Sequence, residues 1–135
     1  MQNRSPADIV RAFFHTAATA DDLSELAPLV SENIDWYIAG DTSRVPWIGR
    51  KTGPEGVAEF YRQIREYIQS EKFTIHQMLA EGDRVVVLGE LASRVKSTGK
   101  LIETEFVFSL LVEQQQISAF RLFEDSYAVS EACRK

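Results

Sequence analysis

A chain of 135 residues, 44% hydrophobic and 26% charged, can bury one sizeable core and has the composition of an ordinary soluble globular protein. Its net charge of −5 has the wrong sign for nucleic acid or an anionic membrane surface, since both call for a basic patch, and the strongest basic run is only Gly49-Arg50-Lys51. No stretch approaches the ~18 consecutive apolar residues of a membrane span, Met1-Gln2-Asn3-Arg4-Ser5-Pro6 lacks the apolar run of a leader, and Cys133, the one cysteine, can form no internal disulfide. A cytoplasmic protein is expected.

Taken in chain order, Ser5-Pro6-Ala7-Asp8 opens a helix: serine caps, proline fits the first turn and aspartate suits the positive helix end. Ile9, Val10, Phe13, Phe14 and Ala17 follow as one apolar stripe at helical spacing. Asp21 and Asp22 start a shorter helix with Leu23, Leu26 and Ala27 inward, ending near Pro28. Asn33 to Ile38 is a strand carrying Trp36 and Tyr37. Ala39 to Lys51 has no clean period and holds Gly40, Pro46 and Gly49, so it is expected as a loop. A third helix begins at Thr52-Gly53-Pro54-Glu55 and buries Val57, Phe60, Tyr61, Ile64 and Ile68.

The last part of the chain changes period. Strands are expected at Phe73 to Leu79, Arg84 to Val95, Leu101 to Val112 and Ile117 to Asp125, with turns at Glu81-Gly82-Asp83, Lys96 to Lys100 and Glu113 to Gln116. Ile102, Thr104, Phe106, Phe108, Leu110 and Val112 share one parity, and Glu103 and Glu105 the other. That alternation marks a strand with one buried face, which Phe120 and Leu122 continue on the next strand. Helices first and antiparallel strands after them make an α+β protein. No repeat or linker interrupts it, so residues 1–135 are expected to be one domain.

This order, with Asp35-Trp36, Pro46-Trp47-Ile48-Gly49 ahead of Gly53-Pro54-Glu55-Gly56-Val57-Ala58-Glu59-Phe60-Tyr61, the turn Glu81-Gly82-Asp83-Arg84-Val85-Val86-Val87 and the closing Phe120-Arg121-Leu122-Phe123-Glu124-Asp125-Ser126-Tyr127, resembles the nuclear transport factor 2-like fold. It looks most like the SnoaL-like proteins related to polyketide cyclases and ketosteroid isomerases. The resemblance implies a cone-shaped α+β barrel, with N-terminal helices on a curved, mostly antiparallel sheet, and an apolar pocket between them. It also implies a homodimer through the outer sheet face. A face that mixes Val86, Leu88, Val107 and Leu111 with Glu90, Arg94 and Glu105 gives an independent reason to expect one.

The same resemblance narrows the chemistry. The places that in ketosteroid isomerases hold the oxyanion-hole aspartate, the base and the tyrosine fall at Phe108, near Trp36 and near Phe13 or Phe14, all apolar here. The Asp-Arg-Asp set of limonene epoxide hydrolases falls at Leu91, Ser93 and Leu122. Neither activity is therefore expected. The aspartate that closes the last strand of the SnoaL-like cyclases, an acid-base group there, resembles Asp125. A carboxyl in an apolar pocket would have a raised pKa suited to that work. Asp125 is also well placed to cap a helix at Ser126-Tyr127-Ala128-Val129, and strand parity turns Glu124, not Asp125, to the side of Phe120 and Leu122. Glu124 is the second candidate acid.

The expected pocket comprises Phe13, Trp36, Trp47, Phe60, Leu91, Ser93, Phe108, Phe120 and Leu122, with Trp36, Tyr37 and Trp47 near a mouth able to stack on a flat apolar ligand. His15 and His76 lack metal-ligand spacing with any Asp, Glu or Cys, and no phosphate loop or nucleophile elbow occurs. No metal and no cofactor is expected. The expectation is a protein that binds a small hydrophobic carbonyl or polyketide-like molecule, and isomerises or cyclises it by cofactor-free acid-base chemistry. The alternative is a non-catalytic ligand-binding or dimeric assembly module, and a carboxylate inside the pocket would discriminate the two.

Overall fold

The computed structural model describes residues 4–135, so the first three residues of the stretch read for a leader lie outside it. Helix α1 (Pro6–Thr19) starts on a capping box, in which the Ser5 side chain accepts from the Asp8 amide and Asp8 reaches back to Ser5. It buries Ile9, Val10, Phe13 and Ala17. The short second helix is a 3-10 helix (Leu23–Leu29), capped by Asp22 through the Ser24 amide at 2.9 Å, because a segment this short closes on tighter bonds.

Strands β1 (Val30–Ile38) and β2 (Gly49–Thr52) precede helix α2 (Gly53–Tyr67); β3 (Ile68–Glu81), β4 (Arg84–Val95), β5 (Leu101–Glu113) and β6 (Gln116–Glu124) follow, and α3 (Ser126–Cys133) closes the chain. The six strands form one sheet in the order β2-β1-β6-β5-β4-β3. β3 to β6 make the expected antiparallel meander, and β1 joins β6 in parallel. The helices cover one face, so the architecture is α+β.

Apart from shifts of one or two residues at strand ends, three differences from the sequence reading stand out. β2 lies inside the stretch expected as loop: Gly49-Arg50-Lys51-Thr52 has no alternation of its own and is drafted by antiparallel pairing with β1, Tyr37 opposite Arg50. β1 begins at Val30 instead of Asn33. β3 starts at Ile68, which helical spacing had given to α2, and runs for 14 residues. Its polar start, Gln69-Ser70-Glu71-Lys72, is tolerable on an edge strand that hydrogen-bonds along nearly the whole of β4.

Curvature comes from identifiable places. β3 has irregular register between Ser70 and Lys72 and between Ile75 and Gln77, and bulges bend the strand that carries them. Gly89 on β4 stands directly opposite Phe106 on β5; a Cβ there would collide with the Thr74 carbonyl oxygen and the Phe106 ring. The phenyl ring lies over the glycine and lets the sheet fold inward at that point.

The solid part of the interior is aromatic. Trp36 and Phe120 are register partners on β1 and β6, and their rings stack at 3.6 Å with 3° between planes. Phe13 packs on both, at 6.5 Å and 6.3 Å, and all three side chains are fully buried. On the opposite sheet face the charged pairs run across strands, although their partners sit on β3: Arg94 with Glu71 at 2.9 Å and Lys72 with Glu90.

Candidate functional site

An apolar cavity of about 390 Å³ lies between the helices and the concave side of the sheet. Its helical wall is Phe14, Ala17 and Ala18 from α1 and Phe60, Tyr61, Ile64 and Arg65 from α2. Trp47, from the segment before β2, and Val129 of α3 contribute from the sides. The sheet wall comprises Ile68, Ser70 and Phe73 of β3, Leu91 and Ser93 of β4, Ile102 and Phe108 of β5, and Leu122 and Glu124 of β6. This is the usual character of a small-molecule site, mostly apolar with a few polar groups.

Of the residues expected in the pocket, Trp47, Phe60, Leu91, Ser93, Phe108 and Leu122 line the cavity. Phe13, Trp36 and Phe120 do not, which corrects the sequence reading. They face inward as their parity requires, but the register that stacks Trp36 on Phe120 and the helix that lays Phe13 across them fill that end completely. Phe108 sits at the boundary, 5.5 Å from Phe120 and 4.9 Å from Phe14 between ring centroids. Trp47 is held by stacking on Tyr67 at 6.2 Å.

The two acids separate clearly. Asp125 is the N-cap of α3, accepting from the Ala128 amide at 3.0 Å, while its own amide donates to Thr104 Oγ1 at 2.9 Å. It does not line the cavity, so the first candidate acid has a structural post. Glu124 does line it. Burial pushes the Glu124 carboxyl up to about 7, and the neighbouring Asp125 charge adds to the effect. Among the described residues no hydrogen bond to the carboxylate opposes either cause.

Other polar groups on the wall are few. Arg65 Nη2 donates to the Ala17 carbonyl at 3.0 Å, tying α2 to α1 beside the cavity. Ser93 is buried. Tyr61, which helical spacing placed on the buried side of α2 without a functional role, puts a phenol among Phe13, Trp36 and Phe60. Burial alone raises its pKa, so it stays a neutral hydrogen-bond donor. The signal that could have singled it out is a polar-tipped ring on an otherwise apolar stripe.

The histidines lie elsewhere. His15 is exposed on α1, and His76 Nε2 lies 3.5 Å from Glu90 Oε2, beside the Lys72 pair. Among the described residues no helix is long and apolar enough to cross a membrane.

Comparison with known proteins agrees with this fold. The family model described as a SnoaL-like domain matches residues 10–120. No curated protein matches the chain. Among solved structures, an NTF2-like protein from Burkholderia xenovorans is 26% identical with a TM-score of 0.85, the alignment covering 99% of each chain. An NTF2-like protein from Burkholderia thailandensis is 20% identical with a TM-score of 0.83, over 98% of this chain and 100% of that one. TerC, co-crystallised with polyporic acid, is 19% identical with a TM-score of 0.79, over 97% of this chain and 100% of its own. With the family model spanning most of its length and the helices-on-curved-sheet architecture alongside, the chain belongs to the SnoaL-like family of the NTF2-like superfamily.

Proposed function

We propose that this protein binds a small, flat, hydrophobic carbonyl compound in the cavity and moves a proton on it with Glu124, by cofactor-free acid-base chemistry of the isomerase or cyclase kind. The observation that carries the reading is a carboxyl raised to about 7 on the wall of an otherwise apolar cavity. Near neutral pH such a group is present in both protonation states, so it can take a proton from carbon and return it. The rings of Trp47, Phe60 and Phe108 suit a flat ligand, and TerC, a protein of this fold, was co-crystallised with polyporic acid. A purely structural module would have little use for an ionisable group there, because burying it costs stability.

The test is exchange of the α-protons of 2-tetralone, an enolisable bicyclic ketone, for solvent deuterium, followed by proton NMR. The parent is expected to exceed the buffer rate. Glu124→Gln should lose at least the ~100-fold typical of a general acid-base group. Asp125→Asn, which retains a capping oxygen, should leave the rate unchanged. Undiminished exchange in a folded Glu124→Gln protein would refute the catalytic role.

We further propose that a second copy of the chain covers the outer sheet face. Leu88, Val107 and Phe123 stand in register across β4, β5 and β6, and Phe123 is 57% exposed. Such a row on an open sheet suits a two-fold interface. Sedimentation should give a dimer at roughly tens of micromolar, where a standard-size interface holds, and Phe123→Lys should yield a monomer. A parent that sediments as a monomer there would contradict the interface.

A further inference from the structure

We propose that Tyr61 is the hydrogen-bond donor that holds the ligand's oxygen in this cavity, and that it thereby selects oxygen-bearing ligands over hydrocarbons. The proposal rests on the acid-base reading for its catalytic part but not for its binding part. Tyr61 reaches the cavity from α2 in the helical wall, and Glu124 reaches it from β6 in the sheet wall, so one ligand can touch both. This is a different position from Phe13 and Phe14 on α1, where the resemblance to ketosteroid isomerases would have put a tyrosine.

The phenol is poised and unengaged. Its ring is fixed edge-on by Phe13 at 5.9 Å and Phe60 at 4.9 Å, so the hydroxyl is held in place by packing. Burial is the one cause of its shifted titration, and among the described residues no hydrogen bond engages it. It is not sealed in the core either, because among the described residues the one fully enclosed side-chain polar atom without a partner is Trp36 Nε1. Tyr61 is half-buried and lines the cavity, and a donor without an internal partner gains a hydrogen bond when a ligand beside it brings an acceptor.

Ser93 is the competing donor, buried on the sheet wall beside Leu91. A phenol is the more acidic hydroxyl, and a hydrogen bond to an oxygen that gains negative charge strengthens with donor acidity and in a low-dielectric site. In the proton transfer, the C–H bond next to the carbonyl breaks and its proton passes to a Glu124 carboxylate oxygen. The C–H electron pair forms the C=C bond, and the carbonyl π pair moves onto oxygen. Tyr61 keeps its proton and holds that oxygen. Return of a proton from Glu124 to carbon restores the enzyme, with no other reactant.

Two ligands of nearly one shape separate the outcomes: 2-tetralone, whose oxygen can only accept, and tetralin, which has none. Binding is read from the fluorescence of Trp47, which lines the cavity. Tyr61→Phe keeps the ring and removes the hydroxyl. It should bind 2-tetralone about tenfold more weakly, the effect of one good buried hydrogen bond, and bind tetralin as the parent does. Its deuterium exchange should slow by about 100-fold. Parent-like affinity of Tyr61→Phe for 2-tetralone, a parallel loss of both ligands, or transfer of the discrimination to Ser93→Ala would each overturn the assignment while leaving the cavity and Glu124 in place. Failure of the parent to bind either compound would overturn it together with the cavity reading.

Discussion

Phe120→Ala is expected to lower the unfolding free energy by about 3–5 kcal/mol, the range for an aromatic ring removed from a close-packed site. Phe120 has no exposed surface, stacks face to face on Trp36 and is flanked by Phe13 and Phe108, so its removal empties a close-packed site. Phe108→Ala should cost distinctly less, because one side of that ring already borders the cavity and forgoes the contacts a packed neighbour would supply. Urea unfolding of the two variants checks the contrast. Equal losses would mean that the space beside Phe108 is filled like the rest of the core.

Between pH 4.5 and pH 7 the protein should lose about 3 kcal/mol of the stability that Glu124 contributes at acid pH. The sign follows from proton uptake. An unfolded Glu124 ionises near its ordinary 4.5, whereas the folded one holds its proton up to about 7. Across that window the native state binds more protons than the unfolded state, and stability falls as pH rises. The causes are burial in the cavity wall and the adjacent Asp125 charge; Arg65 is the one cationic residue among those lining the cavity. Glu124→Gln should remove this slope, so the variant gains on the parent toward neutral pH. A parent and variant with parallel pH profiles would show that Glu124 is solvated.

Much of this was legible in the residues because alternation is a local signal. The parity of Ile102 to Val112 set the concave face, and the same parity carried through Phe120 and Leu122 turns Glu124 inward and leaves Asp125 to cap α3. What the sequence could not show is whether an inward side chain meets another side chain or empty space. Phe13, Trp36 and Phe120 have the same inward pattern as Phe108 and Leu122, yet the parallel register of β1 on β6 fills one end of the interior and leaves the other open. β2 was hidden for a related reason: Gly49-Arg50-Lys51-Thr52 becomes a strand only through its partner. Tyr61 was visible as part of a helical stripe, but its unengaged hydroxyl is a property of the walls around it.

The central claim, that the Glu124 carboxyl faces an apolar cavity open to a ligand, is tested most directly by titrating that carboxyl. Carbon-13 NMR of glutamate-labelled protein, with the signal assigned by its absence in Glu124→Gln, should give a midpoint near the value of about 7. The midpoint should rise further when tetralin displaces solvent from the cavity and deepens the burial. A midpoint at the ordinary 4.5, unmoved by tetralin, would contradict the account.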